Sequence, residues 1–227
     1  MNGNSFKKQL FDYQNKVNDW IKFRKNKKGT QFNKEENTKI KFVVSLLDIL
    51  GWNPLKGYDV EFEHHIPKVK GRDAADIALY ISSEKHSKPV ILIEVKPIQM
   101  PFKKEYPTKI LEYMSRSKVR FGINTNGREL VLFHSYGVRH DAKSGCKLFS
   151  LELKDFIVYK DVLLMLSKRK VQEGVLDGFA DEFHHGKKYG KKFSDWRRPE
   201  KKYRDPRYNK YILRLKFAKE FLKHNNQ

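Results

Sequence analysis

The sequence predicts an α/β domain, a mixed sheet flanked by helices and followed by a basic C-terminal extension. Three observations carry that prediction. Two apolar runs, 77–81 and 90–96, flank a polar stretch from Ser82 to Pro89, the pattern of a hairpin. Residues 34–50 repeat apolar side chains at helical spacing. Asn126-Gly127 sits between the apolar halves of VRFGINTNGRELVLF, a second hairpin signal. A chain of 227 residues is long enough to bury the core these elements imply.

In chain order, residues 5–24 place Phe6, Leu10, Tyr13, Val17, Trp20 and Phe23 on one helical face. Lys25 to Asn33 reads as a linker around Gly29. Asn33 suits an N-cap for the helix over 34–50, with Glu36 at the capping-box position. In that helix Ile40, Val43, Leu47 and Leu50 make one stripe, widened by Phe42, Leu46 and Ile49; Gly51 and Pro54 stop it. Tyr58–Ile66 alternates as a strand, and the two hairpin strands follow. Pro97, Pro101 and Pro107 mark an irregular passage before a helix over 108–118 and the hairpin over 119–133. A strand near 147–153 and a helix near 154–170 complete the compact part. His184-His185-Gly186 reads as loop, and a docked amphipathic helix is expected at the end, with Tyr211, Leu215, Ala218 and Leu222 as its stripe. The organisation expected is thus 1–33 as helix and linker, 34–173 as core, and 174–227 as extension.

The formal net charge is +21, which favours a polyanionic partner, nucleic acid foremost. Much of it lies in residues 187–223, where fifteen Lys or Arg face four acids. Tyr189, Phe193, Trp196, Tyr203, Tyr208 and Tyr211 lie among these cations. Cations for phosphates and aromatics for bases are the composition of a backbone-tracking arm, with Lys191, Lys192, Arg197, Arg198, Lys201, Lys202, Arg204 and Arg207 as candidates. Lys70, Arg72 and Lys103 are further candidate phosphate contacts. One cysteine, Cys146, excludes an intramolecular disulfide and a cysteine zinc cluster. No apolar run reaches a membrane span's length, and the start is not signal-like. A cytoplasmic, reducing location is expected, with no membrane partner.

The chemistry concentrates at one end of the first hairpin. If it turns near residues 85 and 86, opposed residues sum to about 171, which sets Asp76 across from Val95, between Glu94 and Lys96. Two carboxylates and a lysine would meet beside an apolar strand, where lone charges are costly. Magnesium prefers such oxygen ligands, and the Val95 carbonyl is a candidate third. Lys96 would hold an attacking hydroxide or stabilise charge on phosphorus. A salt bridge across a hairpin is the plainer reading of the same residues. His64 and His65 are adjacent in a strand, so they point to opposite faces and suit surface positions better than one metal.

The order of a helix glutamate, strand aspartate and Glu-x-Lys resembles the PD-(D/E)xK nuclease superfamily. EENTKIKFVVSLLDILGW, DIALYI, VILIEVKP and FGINTNGRELVLF together resemble the nuclease domain at the N-terminus of type I restriction enzyme R subunits, over about 34–135. The resemblance implies a restriction-endonuclease-like fold and Mg²⁺-dependent cleavage of DNA, with Mn²⁺ as a substitute. It assigns Asp76 and Glu94 to the metal and Lys96 to catalysis. It also implies a helix glutamate three residues before a threonine; Glu35 precedes Thr38 by three, and Glu36 is the rival. Two departures stand out: Ala75 replaces the proline before the aspartate, and Lys109 replaces the glutamine of a Gln-x-x-x-Tyr pattern whose tyrosine is Tyr113. Lys109 and Tyr113 are candidates for holding phosphate. No GxxxxGK[ST] loop is present, so a stand-alone endonuclease without a helicase motor is expected. A homodimer would supply the two sites needed for both strands. The alternatives are a catalytically weak or inactive nucleic-acid-binding protein of the same fold, or a nuclease for RNA or branched DNA.

Overall fold

The structure, a computed structural model, describes residues 3–25, 35–56, 58–67, 73–82, 87–100, 107–135, 146–185 and 206–225. Among them six strands form one sheet in sequential order: β1 (Val60–Ile66), β2 (Asp73–Leu79), β3 (Ile91–Val95), β4 (Phe121–Thr125), β5 (Glu129–His134) and β6 (Cys146–Glu152). Only β3 and β4 run parallel, since helix α4 (Pro107–Ser117) carries the chain back between them; the other neighbours are antiparallel. The sheet is therefore mixed and flanked by helices, as the sequence predicts. Among the described residues no helix is long and apolar enough to cross a membrane.

The central strands β3 and β4 are buried along their whole length, Glu94, Asn124 and Thr125 included. One face packs on helix α1 (Gly3–Lys25) through Phe6, Leu10, Tyr13 and Val17, and on the helix ending at Leu50. Burial of such side chains is worth about 1.5–3 kcal/mol each. The other face packs on α4 through Ile110, Leu111 and Met114. The approach there is close: a Cβ on Gly122 of β4 would lie 2.3 Å from Met114 Sδ and 2.8 Å from Ile110 Cγ1.

Two turns predicted from glycine have the expected geometry. Gly51 adopts φ +80°, and Gly51 N and Trp52 N donate to Asp48 O and Leu47 O, closing the helix in a Schellman motif. Buried Trp52 then donates from Nε1 to Leu166 O at 2.8 Å. In the second hairpin Gly127 adopts φ +78°, Asn126 Oδ1 accepts from Arg128 N and Glu129 N, and Tyr13 Oη donates to Gly127 O. The α1 helix is thus bonded directly to the turn.

Four expectations need correction. The helix over 34–50 is not uniform: α2 (Glu35–Thr38) passes into a π-turn (Lys39–Val43) and then α3 (Val44–Ile49). The wider turn inserts extra backbone per turn and rotates the face, so Ile40 is 58% exposed while Thr38 and Lys39 are buried. The first hairpin pairs Ile77 with Ile93 and Ala78 with Leu92, a sum of 170. Continued by one residue, that register sets Asp76 level with Glu94, not Val95; apolar matching on both sheet faces selects it. The helix near 154–170 is instead a 3₁₀ turn (Leu153–Asp155), α5 (Lys160–Leu164) and α6 (Lys168–Gln172). The break before α6 is made by Ser167, an extended N-cap whose side chain accepts from Lys170 N.

The fourth correction is at His184 and His185. They end a helix, α7 (Val175–His185), and do not lie in a loop. Leu176, Phe179, Ala180 and Phe183 of α7 are buried against Phe217 and Phe221 of α8 (Pro206–Asn225) in the main core. Leu215, Ala218 and Leu222 are buried as the predicted stripe of α8 requires. The proposed N-cap Asn33 and the hairpin turn at 83–86 lie outside the described residues.

Candidate active site

The site forms at the C-terminal end of β3, beside the middle of β2 and next to α2 and α4. On β3, alternation puts Leu92, Glu94 and the following Lys96 on the face that α4 covers. On β2, Asp76 comes level with Glu94 and accepts from Val95 N at 2.7 Å through Oδ2. Val95 thus contributes its N–H to the aspartate. The chain after Lys96 is held by two bonds. Ile98 N donates to Thr38 Oγ1 at 2.9 Å, and Asn126 Nδ2 donates to Met100 O at 2.8 Å. The first of these ties α2 to the exit of β3 and so brings Glu35, one turn before Thr38, over the strand end.

Three carboxylates result. One oxygen each from Glu35, Asp76 and Glu94 lies within 4.8 Å of the others. Glu36, the rival of Glu35, turns instead to Lys39, with Nζ 3.0 Å from its Oε2. Lys96 Nζ is 2.7 Å from Glu94 Oε1 and 3.6 Å from Glu35 Oε2. Lys109, from the first turns of α4, also places Nζ 2.7 Å from Glu94 Oε1, and lies over the Tyr113 ring at 5.2 Å. The Glu-x-Lys acid therefore takes two ammonium groups at one oxygen. Its other oxygen, Oε2, is buried with no hydrogen-bond partner among the described residues.

Burial dominates the electrostatics. It pushes the Asp76 carboxyl up to about 6; the Val95 N–H opposes the rise, the charges of Glu94 and Glu35 add to it, and Lys39 opposes it. Burial works against the charge of Lys109, but the hydrogen bond and charge of Glu94 outweigh it and hold the ammonium above its usual range. Burial raises the Tyr113 hydroxyl, and the adjacent Lys109 offsets part of that.

An oxygen-only donor set with one buried, unpartnered carboxylate oxygen fits a hard divalent cation. Of the residues singled out from sequence, Asp76, Glu94, Lys96, Glu35, Lys109 and Tyr113 converge here. His64 does not: its Nδ1 lies 2.7 Å from Glu61 Oε2 on β1, and His65 is exposed. Lys70, Arg72, Lys103, Lys191, Lys192, Arg197, Arg198, Lys201, Lys202 and Arg204 lie outside the described residues, as does the side chain of Arg207 in the first turn of α8.

Sequence reasoning missed Lys39 and Glu63. Lys39 Nζ is 3.6 Å from Asp76 Oδ1 and bonds Glu63 Oε1. An isolated lysine among apolar helix positions is a weak signal, and only the π-turn brings it inward.

Residues 34–144 match the family described as Type I restriction enzyme R protein N terminus. A solved fragment described as an HsdR subunit of a type I restriction enzyme from Vibrio vulnificus YJ016 is 19% identical, with a TM-score of 0.39; the match covers 57% of this chain and 26% of that one. The chain thus spans about a quarter of that relative's length. No curated protein matches the sequence. Over residues 34–144, the chain is similar to the N-terminal nuclease domain of type I restriction enzyme R proteins.

Proposed function

We propose that the chain is a metal-dependent endonuclease that hydrolyses phosphodiester bonds of DNA, with Mg²⁺ as its cofactor and Mn²⁺ able to replace it. The observation that carries the reading is the Glu35, Asp76 and Glu94 cluster with the Lys96 ammonium against it. Asp76, Glu94 and Glu35 would hold the ion, with the Val95 carbonyl as a further oxygen. The chemistry that Mg²⁺ supplies in such a site, when bound, is charge neutralisation at phosphate and acidification of water.

The chain's own groups do the rest. Lys96 stands where it can orient the attacking water and balance the negative charge that grows on phosphorus. Hydrolysis adds that water across one P–O ester bond. Lys109, half exposed at the rim beside Tyr113, meets a phosphate oxygen in place of the missing glutamine. The basic segment from 187 onward supplies sequence-independent attraction to the backbone. Symmetric attack on a duplex calls for two sites, hence a homodimer, which sedimentation on DNA would detect.

The test is cleavage of plasmid, linear, branched and RNA substrates with Mg²⁺, Mn²⁺ or EDTA. Asp76→Ala and Lys96→Ala should each lose at least about 100-fold in rate while keeping DNA binding. Full activity of Asp76→Ala would sink the proposal. A second reading, a DNA-binding protein of the same fold without catalysis, draws support from Lys109, which with Lys96 neutralises Glu94 at one oxygen. It expects salt-sensitive binding with no response to either metal.

A further inference from the structure

Beside the three-carboxylate cluster lies a second group of acids with a cation already inside it. The Lys39 side chain is 5% exposed, and its Nζ faces Glu36 Oε2 at 3.0 Å, Asp76 Oδ1 at 3.6 Å, and Glu63 Oε1. An ammonium has three N–H donors, and here three carboxylates surround it. Two backbone irregularities deliver this arrangement. The π-turn at Lys39–Val43 swings Lys39 inward. Glu63, in the middle of β1, adopts φ +53°, a left-handed conformation that a non-glycine residue rarely takes in a strand. Pairing skips it: Phe62 pairs with Ile77 and His64 with Ala75, which leaves Glu63 level with Asp76 and its carboxylate on Lys39. Irregular backbone held in place by its surroundings is a mark of functional sites.

Asp76 is the shared member of both groups. Its Oδ1 faces Lys39, while its Oδ2 is fixed by Val95 N within the strand pair that carries Glu94. One carboxylate between two cations is the layout of two-metal phosphodiester sites. We propose that the Lys39 ammonium is a chain-borne cation standing where a second metal ion would otherwise sit, so that this site takes one divalent ion per chain and Lys39 acts as a positioning residue for Asp76. The inference rests on the proposed metal site at Glu35, Asp76 and Glu94.

Removing the ammonium without removing the acids should open an oxygen-lined site. Glu36 and Glu63 are more than half exposed, so an ion can reach it. The test is the number of Mn²⁺ ions bound per full-length chain, read by calorimetry and by the electron paramagnetic resonance signal of free Mn²⁺. Wild type and Lys39→Arg should each bind one. Lys39→Met should bind two, and Lys39→Met with Glu63→Gln should return to one. Lys39→Gln, which keeps a polar side chain, replaces Lys39→Met should the latter not melt cooperatively. Two ions in the wild type, or one ion in a folded Lys39→Met or Lys39→Gln protein, overturns the inference and leaves the metal site standing. No ion in the wild type overturns both.

Discussion

Asp76→Asn should make the metal-free protein more resistant to neutral pH while destroying the proposed metal site. The reasoning starts from burial: the Asp76 carboxyl rises from 3.8 to about 6 because its charged form is desolvated. A carboxyl whose folded-state pKa exceeds its unfolded value favours the fold while protonated. That contribution is complete below pH 3.8 and is lost as pH rises through 6. At about 1.36 kcal/mol per pH unit, the loss amounts to roughly 3 kcal/mol. For a chain of this size 1 kcal/mol moves the melting temperature by about 2–4 °C, so the change is on the order of 6–12 °C. Asparagine can still accept from Val95 N but carries no charge, so it does not titrate. Wild type and Asp76→Asn should therefore be melted in EDTA at pH 4, 5, 6 and 7.5. The wild type should fall relative to the variant across this range, by roughly 2.5 kcal/mol, since part of the change lies below pH 4. Excess Mn²⁺ should restore the wild type at pH 7.5 and leave the variant unmoved, because ligand that binds only the folded state stabilises it. A constant difference between the two proteins from pH 4 to 7.5 would refute the desolvation argument.

Three further outcomes follow from particular contacts. Lys109→Gln should melt within about 1 kcal/mol of wild type, since Lys109 is half exposed and Lys96 still pairs the buried Glu94; its DNA affinity should show a salt slope shallower by about 0.9, measured by fluorescence anisotropy against NaCl, and an unchanged slope would assign Lys109 to the fold alone. Gly127→Ala and Gly51→Ala both force a side chain into left-handed backbone at roughly 1–2 kcal/mol, but only Gly127 adds a collision, 2.9 Å from Phe42 Cβ, so denaturant titration should find Gly127→Ala the more damaging. Gly122→Ala should destabilise by about 1–3 kcal/mol, because its Cβ meets Met114 and Ile110; by moving α4 it should also weaken DNA binding through Lys109 and Tyr113, and an unaltered affinity would show that α4 is not a DNA contact.

What could be read from sequence was what short-range chemistry dictates. Gly51 ends its helix and Gly127 shapes its turn because left-handed backbone needs glycine there. Leu215, Ala218 and Leu222 share a face at helical spacing, and they are buried. Glu94 and Lys96 flank one residue of a strand, so their common side follows from alternation. The misreadings arose where one residue of slack changes the geometry. A period of 3.6 turns Ile40 inward and Lys39 outward; the π-turn reverses both. A hairpin summed to 171 instead of 170 moves Asp76 to the wrong sheet face. Nothing in Phe62-Glu63-His64 announces a left-handed residue, and the lysine that its carboxylate meets lies twenty-four positions away. Ser167 did carry a readable signal, a cap that divides the helix expected over 154–170.

The choice between an active nuclease and a binding protein of the same fold turns on Glu94. It lies on a central strand and is wholly buried. One of its oxygens takes both Lys96 and Lys109, and the other has no partner among the described residues. Leaving a buried acceptor unmade costs about 1–3 kcal/mol, and more for a charged group. A fold that only bound DNA would relieve that cost with glutamine or an apolar residue, since neutral replacements of buried ion pairs are often stabilising. Lys109 can be read in the same terms. Two ammoniums on one carboxylate oxygen balance Glu94 without using its second oxygen, so the lysine that departs from the glutamine pattern leaves the cation-binding lone pairs open. That separates the readings experimentally. Glu94→Gln should stabilise the metal-free protein or leave it unchanged if the charge serves only a cation, and should destabilise it if the two lysines depend on it for the fold.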